Sequence, residues 1–185
     1  MRRLRPFFGY YGAKWLLAPH YPAPQHRRVV EPFAGSACYS LLHWRREVTL
    51  VDAYPVVAGI WRYLISVSAE EILALPDLAD GQTVGDLDVC QEARWLIGLW
   101  IRSAQARPGL TSSPWARDKA TRGICGFWGG PARARIARQL PCIRHWRVIE
   151  GDYREASLGP ATYFIDPPYV VGGSHYSARP GSYEL

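Results

Sequence analysis

The chain has 185 residues, 48% of them apolar and 21% charged, with a formal net charge of +6. That is room for one domain with a hydrophobic core, and it excludes a disordered or low-complexity chain. No apolar run approaches the roughly 18 residues of a membrane helix, and no signal-peptide stretch follows MRRLRPFF, so the sequence predicts a soluble, cytoplasmic protein with no membrane partner.

In chain order, residues 28–32 (RVVEP) read as a short buried strand, followed by a glycine-containing turn and a helix from about Ser36 to Arg46. Residues 48–52 (VTLVD) form a second strand, and Pro55, suited to a first helical position, opens a helix through about Val67. Residues 131–140 (PARARIARQL) read as a basic amphipathic helix, 146–150 (WRVIE) as a strand, and 161–165 (ATYFI) as a buried strand ending at Asp166. Strands alternating with helices predict an α/β fold with a mostly parallel sheet. The expected organisation is 1–67 and 146–185 as the two parts of the sheet domain, with 68–145 inserted between them.

Charge is unevenly placed. Residues 66–93 carry seven acids and no lysine or arginine, whereas 94–149 carry ten arginines and Lys119 against Asp118 alone. The second segment also holds Trp95, Trp100, Trp115, Trp128 and Trp146. Arginines interleaved with aromatic rings suit a nucleic-acid surface, the cations for phosphates and the rings for stacking. Within it, Arg117, Lys119, Arg122, Arg133, Arg135 and Arg138 are the candidate DNA contacts. Trp95 and Trp100, in ARWLIGLWI, are expected in the core, and the stretch from Trp115 to Gly130 suits core or surface equally. The four cysteines and five histidines show no metal-ligand spacing and no nucleophile pairing, so no metal is expected.

Two motifs carry the chemistry. In VVEPFAGSA the chain leaves the first strand at Glu31, passes Pro32 and Phe33, and turns at Gly35, where a missing side chain lets a ligand approach the backbone. Asp52 ends the next strand, where an acid would accept both ribose hydroxyls of a nucleoside. Glu31 beside the turn repels phosphate and favours a cationic ligand such as a sulfonium amino acid. A purely structural tight turn would carry the same pattern. The second motif is Asp166-Pro167-Pro168-Tyr169 after the ATYFI strand. Neither proline can donate a backbone hydrogen bond, so the turn is stiff and its carbonyls are free to accept. An acid, a bare carbonyl and an aromatic ring on one rigid turn would receive the exocyclic amine of a flat base, with Tyr169 stacking on the ring. Gly172-Gly173 beyond it suits a closing loop or an ordinary surface turn.

These motifs, with Phe7-Phe8-Gly9-Tyr10-Tyr11-Gly12-Ala13-Lys14 before them, stand in the order found in the D12-class (Dam-like) DNA adenine-N6 methyltransferases, many of them phage-borne, and the chain resembles that family over most of its length. The resemblance implies a Rossmann-like methyltransferase sheet with a mainly helical target-recognition insert. It implies S-adenosyl-L-methionine as cofactor, held by Tyr10, Lys14, Asp52 and Asp166, with Asp152-Tyr153 at its adenine. It also implies site-specific methylation of double-stranded DNA in a bacterial cell or phage-infected host, as in restriction-modification. Two departures stand out: Ala37 replaces the second glycine of the family's F-x-G-x-G, and the family continues through further strands where this chain has 16 residues after Tyr169. A partner chain or a further segment would then complete the sheet. Cytosine-N4 methylation is the nearest alternative chemistry, and a non-catalytic DNA-binding remnant is the alternative from another class.

Overall fold

A computed structural model describes residues 3–102, 105–124, 126–157 and 159–168. Strand β1 (Arg28–Glu31) is followed by helix α1 (Cys38–Leu42), β2 (Glu47–Asp52) and α2 (Pro55–Ser66). Helices α3 (Ala69–Ala74), α4 (Gln91–Ile101), α5 (Pro114–Thr121) and α6 (Gly130–Gln139) come next, and β3 (Arg147–Glu150) and β4 (Thr162–Tyr163) close the described chain. The strands form one sheet in the order β3-β2-β1-β4, and every pairing is parallel. The chain is thus an α/β fold, and its sheet is compatible with a Rossmann-like arrangement. Strand order reverses between β1 and β4, and the crevice beyond the carboxyl ends of such strands is where open α/β sheets bind ligands.

The sheet's two faces follow from the strands' two-residue period. Val29, Val48 and Leu50 enter the main core with α1, α2, α4 and α6, while Val30 and Val51 pack with Ile149, Ala156 and Ala161 on the other face. Trp61, fully buried on α2, sits at the centre of the main core, in edge or tilted contact with Phe7, Phe8 and Trp146. Gly59 is small because Trp95 of α4 lies on it; a Cβ there would meet that ring at 2.7 Å. Trp100 is buried as expected, and its indole donates to the Phe7 carbonyl at 2.8 Å, so the N-terminal segment is tied across α2 and α4. Gln139 of α6 reinforces this, accepting from the Arg5 amide at 2.8 Å and donating to its carbonyl at 3.1 Å.

Two elements are shorter than the sequence predicts. The helix expected over 36–46 is only α1, because Ala37 takes a left-handed turn (φ 51°) before it and His43 leaves helical geometry after it. The chain then turns so that the Trp44 carbonyl accepts from the Trp146 indole at 3.1 Å before β2 begins. The strand expected over 161–165 pairs with β1 only at Thr162 and Tyr163, with one further bond from the Phe164 amide to the Val30 carbonyl. Pro32 ends β1 and Pro167 follows Asp166, so neither side can extend the ladder. Tyr169, Cys125, His175 and Gly172-Gly173 lie outside the described residues.

Candidate functional site

Above the carboxyl ends of β1, β2 and β4 lies a cleft enclosing about 780 Å³, mouth included. It is lined by Tyr10, Lys14, Glu31, Pro32, Phe33, Gly35, Asp52, Tyr153, Asp166 and Pro168, so residues from all three sequence blocks meet in one cavity.

The N-terminal block arrives there because Phe7 and Phe8 are anchored on Trp61. After that anchor the chain turns tightly, the Ala13 amide donating to the Tyr10 carbonyl at 3.2 Å with Gly12 at positive φ. This turn lays the Tyr10 ring against Gly35, where an added Cβ would meet it at 3.2 Å. It also sends the Lys14 ammonium into the cleft, where Nζ donates to the Gly12 carbonyl at 2.9 Å and to Asp166 Oδ2 at 2.8 Å.

The glycine turn is held from two sides. The Trp61 indole donates to the Gly35 carbonyl at 2.8 Å, and the Gly35 amide donates to Asp52 Oδ2 at 3.0 Å. Asp52 Oδ1 accepts from the Tyr54 amide at 2.9 Å, so each carboxylate oxygen is oriented by one backbone donor. Burial pushes the Asp52 carboxyl up to about 6 despite those two amides. Glu31 is more enclosed, 2% exposed, with Oε1 accepting from the Ser40 amide at 2.7 Å. Burial raises its carboxyl to about 7, against the opposing Ser40 bonds and with the Asp166 charge adding to the rise. The charged lining among the described residues is therefore Glu31, Asp52 and Asp166 against Lys14. That balance suits a ligand bearing positive charge.

Aromatic walls complete the cavity. Phe33 and Tyr153 stack with centroids 5.5 Å apart, and Phe164 stacks on Tyr39 at 4.7 Å. Asp152 lies beside the cleft but does not line it; its Oδ1 accepts from the Arg154 amide at 2.9 Å and pairs with the Arg154 guanidinium at 3.0 Å. Asp166 and Pro168 line the cleft, whereas Pro167 between them is exposed and does not line it. Sequence reasoning missed Tyr54, Phe164 and the positioning role of Trp61. Tyr54 could have been found two residues past Asp52; nothing local marks Trp61 as the support of Gly35.

The six basic candidates do not form one uniform surface. Arg117 pairs with Asp80, and Arg133 with Asp77. Arg122 pairs with Asp118 one turn back on α5 at 3.4 Å. Arg135 lies over the Trp100 ring at 4.8 Å and donates to the Pro6 carbonyl at 3.3 Å, which makes it part of the fold. Lys119 lies 5.8 Å from the ring of Trp115, itself 63% exposed, and Arg138 is exposed in the last turn of α6. No helix among the described residues is long and apolar enough to cross a membrane. No protein-family model matches the chain, and no curated protein does.

Proposed function

We propose that the protein transfers a methyl group from S-adenosyl-L-methionine to the exocyclic N6 amine of adenine in DNA. The observation that carries this reading is the convergence of Lys14, Glu31, Asp52 and Asp166 on one cleft at the point where strand order reverses. The cleft suits the cofactor in chemistry: oriented carboxylate oxygens on Asp52 for a ribose, the Phe33–Tyr153 wall for a flat base, and an acid-rich end at Glu31 for a cationic amino-acid tail. When bound, the cofactor supplies an electrophilic sulfonium methyl group.

The chain's own residues act on the acceptor. Adenine's amine gives its lone pair to the ring and is a weak nucleophile. Asp166 and the Pro167 carbonyl accept its two N–H bonds and draw the nitrogen toward tetrahedral geometry, which frees the lone pair for direct in-line displacement. The N–CH₃ bond would form as the S–CH₃ bond breaks, the neutral thioether leaving with the electron pair and one amine proton passing to water. Lys14 fixes the carboxylate of Asp166 from one side, leaving its other oxygen for the amine. Orientation and electrostatic preorganisation carry the rate, with no covalent enzyme intermediate. The target base leaves the helical stack to reach this turn, at about a few kcal/mol, and Tyr169 provides a stacking partner. Exposed Arg122 and Arg138, with half-buried Lys119 and exposed Trp115, are the first candidates for the duplex contact.

Calorimetric titration with S-adenosyl-L-methionine, alongside methyl transfer to unmethylated DNA, tests the reading. It predicts saturable cofactor binding and label in DNA. Cofactor binding without transfer would favour a remnant that retains only the cleft, and absence of both would contradict the reading.

A further inference from the structure

Two cations of residues 94–149 and two acids of 66–93 meet at one place in the fold. Arg117 of α5 and Arg133 of α6 both reach the irregular segment after α3, where they pair with Asp80 and Asp77. The two sides of these pairs are unequal. The arginine side chains are 21% and 14% exposed, whereas Asp80 and Asp77 are 90% and 61% exposed. Each guanidinium has a second support: Arg117 donates to the Ser112 carbonyl, and Arg133 lies over the Trp128 ring at 5.8 Å. Asp77 and Arg117 line one cleft, with Trp128 and Phe127 among its walls. Two guanidiniums are thus held on helices, while the carboxylates that satisfy them sit on a solvent-flanked loop.

An arginine fork binds phosphate with the same geometry as carboxylate. The acid side of each pair is open to water, which screens the attraction and lowers its worth. We propose that Asp77 and Asp80 occupy, on Arg133 and Arg117, the places that two backbone phosphates of DNA take when the protein binds. This rests on DNA being the substrate. The acidic segment is then an intramolecular competitor that weakens non-specific binding. It also explains why a strongly basic segment is folded against a strongly acidic one.

The test is fluorescence anisotropy with a labelled duplex of about 20 base pairs, between about 50 and 200 mM salt. Wild type is compared with Asp77→Asn/Asp80→Asn and with Glu70→Gln/Asp88→Asn, which removes the same charge from exposed acids outside these pairs. The first variant is expected to bind about tenfold tighter at about 100 mM salt, with a salt slope steeper by about one to two. The second should change affinity by less than about threefold. Adding Arg117→Ala and Arg133→Ala to the first variant should abolish the gain. Single Asp77→Asn and Asp80→Asn variants each carry part of it and decide the matter if the double variant does not fold. Equal tightening in both double variants, or none in either while wild type binds, overturns the competitor and leaves the methyltransferase reading standing. Failure of every variant and wild type to bind DNA contradicts both.

Discussion

Lys14 and Asp166 lie 152 positions apart in the chain, yet Lys14 Nζ donates to Asp166 Oδ2 at 2.8 Å inside the cleft. The contact joins the N-terminal turn to the turn after β4 and supplies the cavity's described cation. Substituting Lys14→Met removes it and leaves Asp166 facing Glu31 without a counter-charge. Cofactor affinity is predicted to fall at least about tenfold, since one hydrogen bond to a charged group is worth about 1.5–3 kcal/mol. Titration calorimetry reads this, and unchanged affinity would show that the pair does not organise the site.

Asp52 is constrained differently, each oxygen accepting from one amide. In Asp52→Asn one of those amides faces an NH₂ group or is left without its acceptor. Stability is predicted to fall by about 1–3 kcal/mol, and cofactor binding should weaken further through loss of the proposed ribose acceptor. Denaturant unfolding with and without cofactor separates the two effects. A variant that lost stability but bound cofactor normally would remove Asp52 from the binding site.

The glycine turn offers a reciprocal pair of substitutions. Gly35 has φ +45° and Tyr10 lies where its Cβ would go, so Gly35→Ala should cost about 1–2 kcal/mol and displace the ring. Ala37 is already left-handed at φ 51° and buried. Ala37→Gly relieves about 1 kcal/mol of that conformation but loses a buried methyl worth about 0.8 kcal/mol. Its melting midpoint should barely move. Ala37→Val, branched in a conformation that disfavours branching, should melt well below both.

The two raised carboxyls predict a pH dependence of definite sign. Glu31 and Asp52 hold protons more tightly folded than unfolded, so the folded state binds more protons over the interval between ordinary carboxyl values and about 6 to 7. Stability of the free protein therefore falls as pH rises from about 4.5 through 7 from these groups. A cationic ligand favours the ionised carboxylates, so its affinity rises over the same interval and its binding releases protons. Thermal melts across that range check the first statement, with Glu31→Gln flattening the profile. Calorimetry in buffers of different ionisation enthalpy checks the second.

Much of this was legible in the sequence because the informative signals are local. The edges of β1, β2 and β3 follow from short apolar runs ended by Glu31, Asp52 and Glu150, and Pro55 marks the start of α2. The candidate site was legible as three blocks, and the parallel order β3-β2-β1-β4 is what places them at one end of the sheet. What escaped notice depends on distant contacts. Arg117 and Arg133 read as candidate DNA contacts, and only the fold brings Asp80 and Asp77 to them. Arg135 reads as a candidate DNA contact on a basic amphipathic helix, yet its partners, Pro6 and Trp100, come from distant parts of the chain.

The central claim is that Asp166 and its turn present a base amine for methylation. Its most direct measurement is incubation of unmethylated DNA with labelled S-adenosyl-L-methionine and either wild type or Asp166→Ala, followed by digestion to nucleosides. The account predicts label in N6-methyladenine with wild type, and none with the variant although DNA binding persists. Label in N4-methylcytosine, or undiminished transfer by Asp166→Ala, would contradict it.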